Sequence, residues 1–183
     1  MTAQNDEQMI VLGIDPGTAS TGYGVVERRG AQLFALDGGV IVTPAGQEPE
    51  TRLVTIHTRL AELLDDYQPN ALAIEDLYFG ANVRSAFAVG QARGVALLAA
   101  GQRAVPCRSY TPQQIKGAVC GSGRADKSQV QRMVQQLLAL DAPPEPDHAA
   151  DALAVAICDV NRAPFTGAVN RGLAAAIAQA DTP

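Results

Sequence analysis

Residues 9–28 read MIVLGIDPGTASTGYGVVER. The stretch opens on an apolar run, 9–14, that stops at Asp15-Pro16-Gly17. A short apolar run ended by a turn signal marks a buried strand. Residues 20–28 resume as a second strand, with Gly22 and Gly24 on either side of Tyr23. Residues 31–43 make a third, in which the pair Gly38-Gly39 predicts a bend or bulge. The links are hairpin-short, so the chain is expected to begin with three antiparallel neighbours.

Beyond residue 49 the period changes. Leu53, Ile56, Leu60, Leu63 and Leu64 recur at helical intervals from Glu50 to Tyr67, and Pro69-Asn70 breaks the pattern. A short apolar run at 71–75 ends in Glu75. A helix over 82–101, a strand over 104–109 and a short helix over 112–120 follow. Further helices are expected from Asp126 to about Leu140 and, after a proline-rich break, from about Asp147 to Arg162. The order is βββαβαβααα. It predicts an α/β three-layer fold: a mixed five-stranded sheet, three antiparallel strands and then parallel ones, with helices on both faces.

The 183 residues suit one domain, with 47% hydrophobic residues to build a core, although only 4% are aromatic and none is Trp. Residues 1–8 are expected to be a disordered leader and 163–183 a flexible tail. No stretch approaches the roughly 18–20 apolar residues of a membrane span. The polar start has no signal-peptide character. Three cysteines, Cys107, Cys120 and Cys158, form no CxxC pair, which points to a reducing compartment. The chain is read as cytoplasmic.

Two carboxylates end apolar strands, Asp15 and Glu75. Acids there are costly unless paired, hydrogen-bonded or bound to a cation. A third, Asp151, lies one turn inside an Ala-rich helix and shares a face with His148. Each has an ordinary reading. Asp15 can simply start a turn, Glu75 can be a solvated strand end, and His148 and Asp151 can serve the helix N-terminus. Asp147 is a rival to His148, since it follows Pro146 as the natural N-cap and also shares a face with Asp151. If the groups converge, hard oxygens with one imidazole suit Mg²⁺ or Mn²⁺ better than zinc. The glycine-rich opening lacks the Gly-Lys-Ser/Thr of a Walker loop, but its backbone could approach a phosphate.

Five segments then stand together: GIDPGTASTGYG at 13–24, AIEDL at 73–77, GQARGVA at 90–96, DKSQVQ at 126–131 and HAADALA at 148–154. In this order and spacing, from about Met9 to Arg162, they resemble the RuvC family of Holliday-junction resolvases. The resemblance implies a ribonuclease-H-like fold over 9–162 and a homodimeric, metal-dependent endonuclease. Such an enzyme cuts opposed strands of a four-way DNA junction in recombination and repair. It assigns catalysis and metal binding to Asp15, Glu75, His148 and Asp151, with two Mg²⁺ per site expected and Mn²⁺ an alternative. Many relatives carry Asp where this chain has His148, and Asp147 could take that place. The resemblance also implies that Lys116 and Lys127 face DNA phosphates, and that Tyr78 and Phe79 fall where the family places an aromatic wedge. Phe79 could instead be ordinary core, with only Tyr78 exposed. Arg84 and Arg124 are further DNA candidates, and Arg93 is at least as well explained by a structural role. The helix around GQARG is expected at a dimer interface, and the branch-migration proteins RuvA and RuvB are the implied partners.

Three rivals frame that expectation. A sugar-kinase-like ATPase shares the opening motif but needs more chain. A related nuclease could act on RNA or plain duplex, and a non-catalytic module could bind junctions only. The net charge of −5 is a further objection, since DNA-binding proteins usually carry a basic footprint. The charge is unevenly spread, however. Residues 82–140 hold eight Lys and Arg against Asp126 alone, a local +7, and the remainder carries −12. A phosphate responds to the field within a screening length of roughly 8 Å, so the total does not decide.

Overall fold

Val11, Leu12 and Ile14 are fully buried in the first strand, β1 (Met9–Asp15). Burial on both faces puts β1 mid-sheet, as its unbroken apolar run requires. It pairs antiparallel with β2 (Ser20–Arg29), which pairs antiparallel with β3 (Gln32–Val42). Helix α1 (Pro49–Tyr67) crosses to β4 (Ala71–Glu75), which lies parallel to β1. Helix α2 (Val83–Gly101) leads to β5 (Cys107–Tyr110), parallel to β4. Helices α3 (Pro112–Cys120), α4 (Lys127–Leu137) and α5 (147–162) complete the chain. The sheet order is β3-β2-β1-β4-β5, the mixed sheet expected from the sequence. This computed structural model describes residues 8–76 and 83–162, without the side chains of 83–85. Tyr78, Phe79, the side chain of Arg84, leader residues 1–7 and the 163–183 tail lie outside the described residues.

Alternation along the strands divides the core. Leu12, Ile14, Val25, Leu72 and Ile74 pack under α1 and α2. Val11, Val26 and Ala73 face α3, α4 and α5. Asp15 and Glu75 continue the second set with period two, so both carboxylates emerge on the α5 side.

Three boundaries differ from the sequence expectation. The bulge falls at Leu36, where the β2–β3 register shifts, and not at Gly38-Gly39, which stay paired with Gly24 and Tyr23. That glycine pair serves packing: a Cβ on Gly39 would meet the Tyr23 hydroxyl at 2.7 Å. Strand β5 starts at Cys107 and not at 104. The preceding backbone closes α2 instead, with Ala104 at φ 53° and Val105 N–H donating to Ala100. Helix α4 stops at Leu137, short of Leu140, because Ala139 turns left-handed at φ 50° and Leu140 N–H returns to Gln135.

Candidate active site

The ends of β1 and β4 carry the acids. Ile14 pairs with Ile74, and one residue further Asp15 and Glu75 leave the parallel strands side by side. Ligands of α/β sheets gather at such carboxyl ends. Helix α5 closes the site from above, and glycine lets it approach. A Cβ on Gly13 would lie 2.2 Å from the Ala152 carbonyl oxygen, and one on Gly22 would lie 2.0 Å from that of His148. The helix thus rests on bare strand backbone, with Ala149, Ala150, Ala152 and Ala154 buried in the contact. Gly13, Gly22 and Gly24 of the opening motif therefore receive a helix, while Gly17 packs on Ser20 of its own turn.

This seating brings Asp15, His148 and Asp151 together, each offering a ligand atom within 4.8 Å of the others. His148 Nδ1 lies 2.7 Å from Asp15 Oδ2. With the carboxylate as acceptor and the ring nitrogen as donor in this contact, a neutral imidazole would leave Nε2 as its acceptor nitrogen. Glu75 stands outside that tight group but shares its field. Burial first, then the charges of Asp15 and Asp151, push its carboxyl up to about 7, while Lys116 pulls the other way. Burial also raises Asp151. Its carboxylate is 3.3 Å from Lys127 Nζ, which also holds Asp147 at 3.0 Å.

Asp147 does not cap α5. Pro146 carbonyl accepts the first helical N–H groups, from Ala149 and Ala150. The Asp147 carboxylate instead accepts from Lys127 and Gln131, and Lys127 draws its pKa down. It is not among the clustered ligand atoms, so the geometry favours His148 over its rival.

Capping boxes place the two lysines. Thr111 with Gln114 starts α3, and Asp126 with Gln129 starts α4. Lys116 and Lys127 then line a cleft of about 240 Å³ with Glu75 and Asp151. Its floor is apolar, from Ile115, Val130 and Val155. Arg124 is exposed and lines a neighbouring cleft on the same two helices.

Two supporting residues stand behind the site: Arg93, for which the sequence left a structural role open, and Asp159, which the sequence reading does not assign. Arg93 on α2 donates to the Glu75 carbonyl at 2.9 Å and Ser109 Oγ at 2.6 Å, and pairs with Asp76 at 3.2 Å. It fixes the strand end that carries Glu75. Asp159 on α5 is fully buried and takes Arg108 at 2.8 Å and the Tyr110 hydroxyl at 2.7 Å, tying α5 to β5. An acid inside the apolar run ALAVAICDV was the available signal, since such a group needs a partner.

A family model described as crossover junction endodeoxyribonuclease RuvC matches residues 11–159. The chain belongs to the RuvC family. The RuvC of Moorella thermoacetica is 54% identical over 157 residues, covering 86% of this chain and 94% of that relative. The RuvC of Thermomicrobium roseum is 55% identical over 150 residues, covering 82% and 91%. Among solved structures, Thermus thermophilus RuvC in complex with Holliday junction substrate is 39% identical, with a TM-score of 0.83. It covers 86% of this chain and 96% of that one. The yeast mitochondrial Holliday junction resolvase, 14% identical with a TM-score of 0.58, shares the fold. RuvC membership and the five-stranded mixed sheet agree with the fold expected from the element order and the five-segment resemblance.

Proposed function

We propose that Asp15, Glu75, His148 and Asp151 are the catalytic and metal-binding set with which this chain cleaves four-way DNA junctions. The activity follows from RuvC membership: the chain is a crossover junction endodeoxyribonuclease acting in recombination and repair. Membership sets aside the ATPase and ribonuclease alternatives. The convergence of Asp15, His148 and Asp151, facing a Glu75 that resists ionisation, carries the assignment. Carboxylates this close repel unless a cation lies between them. The donor set, hard oxygens and one imidazole, fits Mg²⁺ or Mn²⁺, with two ions per site. When bound, the ions supply positive charge to the scissile phosphate and activate its attacking water.

The residues divide the remaining work. Asp15, on the central strand, would hold the ions together with Glu75 and Asp151. With Nδ1–H held on Asp15, His148 has Nε2 alone to offer, and there it would hold an ion beside the attacking water. Lys116 and Lys127 bind the phosphates flanking the cut. Water attacks phosphorus in line, the 3′ oxygen leaves, and the products carry 5′ phosphate and 3′ hydroxyl.

A homodimer supplies the paired cuts. On α2, Phe87 is 70% exposed and Leu98 55%, and Gly94 opens onto free space between them. Large apolar side chains on one helix face suit a second copy of the chain. RuvA and RuvB are the branch-migration partners of this reading, and the cytoplasm is its compartment. Among the described residues no helix is long and apolar enough to cross a membrane.

The deciding assay is Mg²⁺-dependent cutting of a synthetic four-way junction beside matched duplex. Asp15→Asn should bind the junction with near wild-type affinity while its cleavage falls by several orders of magnitude. Cleavage within a few-fold of wild type would remove Asp15 from the catalytic set.

A further inference from the structure

We propose that the cleft holding Arg124 and Arg132 is a second phosphodiester-binding site, which takes the DNA strand as it leaves the catalytic cleft. It rests on the DNA reading above. The basic segment 82–140 has eight cations, and most are already engaged. Arg93, Arg103, Arg108 and Lys127 each hold a carboxylate. Lys116 faces Glu75 in the catalytic cleft. Arg124 and Arg132 differ: both are exposed, and neither guanidinium makes a hydrogen bond or ion pair among the described residues.

The two arginines line one cleft of about 480 Å³, together with Ser122, Gln129 and Gln136. No carboxylate lines it. The nearby acid, Asp126, accepts from Gln129 N–H at 2.9 Å and Ser128 Oγ at 2.8 Å, and is also within electrostatic reach of Arg132. Gln129 spends its amide oxygen on Asp126 N–H, which leaves its NH₂ free to donate. The cleft therefore offers two guanidinium forks, amide donors and a hydroxyl, and little for a cation. Guanidinium forks match phosphate oxygens in pairs.

Position selects a nucleic-acid strand over an acidic peptide. Helix α4 turns Lys127 and Val130 to the catalytic cleft and Gln129, Arg132 and Gln136 to the second. Helix α3 likewise gives Lys116 to the first and Cys120 to the second. The two clefts lie on different faces of α4 and come nearest in sequence at its N-terminal end, where Arg124 precedes Lys127 by three residues. A backbone held at Lys116 and Lys127 would reach the arginines around that end.

The test is the salt dependence of DNA binding, measured in an Asp15→Asn background so that the DNA stays whole. Junction and plain duplex are both titrated between 50 and 200 mM salt. Losing two phosphate contacts in the added double change R124Q/R132Q should lower the slope of log K on log salt by about 1.8, so the affinity deficit shrinks about twelvefold across that range. R124K/R132K, which keeps the charge, should restore most of the slope. Ethylation of a phosphate beyond the cleavage site should weaken binding of the arginine protein and leave the R124Q/R132Q protein unaffected. An unchanged slope in R124Q/R132Q, with its thermal melt intact, overturns the proposal. So does an unchanged slope combined with lost binding of a labelled poly-glutamate peptide, which would assign the cleft to a protein partner. Wild-type cleavage is assayed separately: its absence would overturn the resolvase reading, while a fallen slope would still support the arginine cleft.

Discussion

Glu75 joins stability to catalysis in a single side chain. Its carboxyl is raised from an ordinary 4.5 to about 7. In metal-free protein the folded state holds a proton between those values that the unfolded chain has released. Stability from this group is full below about 4.5 and is lost as pH rises through about 7. Glu75→Gln should therefore melt higher than wild type at pH 8 in chelator and equally near pH 4.5. The difference should be on the order of 2 kcal/mol, or a few degrees, after allowing for partial exposure. Parallel melting curves across pH would contradict the raised pKa. Arg93 acts on the same strand end through backbone. Arg93→Lys keeps charge near Asp76 but loses the fork that spans the Glu75 carbonyl and Ser109. The Mg²⁺ concentration for half-maximal cleavage should rise on the order of tenfold. The rate at saturating Mg²⁺ should stay close to wild type, and a loss of rate without that shift would point to a general structural defect. Sequence made Asp15 and Glu75 legible, because an acid closing an apolar run is conspicuous, and Asp151 by the face it shares with His148 in an Ala-rich helix. Arg93 was ambiguous, because its main partner is a carbonyl, and a carbonyl leaves no trace in residue identity.

Helix α5 delivers two of the four candidate catalytic residues, and its seating depends on the absence of side chains beneath it. Gly22→Ala would drive a methyl toward the His148 carbonyl, 2.0 Å from the ideal Cβ. Backbone must move, at a cost of about 1–3 kcal/mol. Cleavage should suffer more than folding: by circular dichroism the variant should remain folded at 25 °C, while its turnover falls at least tenfold. Normal turnover would show that the close contact does not position the site. Helices and strands themselves were legible from periodicity and turn residues. What escaped was where they end. Ala104 and Ala139 take left-handed backbone, which alanine's identity does not announce. The bulge at Leu36 was likewise hidden, because the nearby glycine pair offered the louder signal.

For the whole molecule, the exposed stripe of Phe87 and Leu98 implies that the working unit is two chains. F87D/L98D should sediment as a monomer at micromolar concentration and nick junctions singly, without paired incisions. A dimer that survives this change would relocate the interface. The overall negative charge conceals the basic segment 82–140 that residue positions already disclose, and the arrangement of partners tells which of its cations remain for DNA. One further consequence lies in the contact between α5 and the strands. The separation between the carboxylates is set by main chain resting on main chain, with no intervening side chains to change size. Substitutions elsewhere in the apolar interior can accumulate over generations without shifting the catalytic groups. Mutational tolerance should thus be wide across the core and narrow at Gly13 and Gly22, where a deep mutational scan for junction cutting should accept almost nothing else.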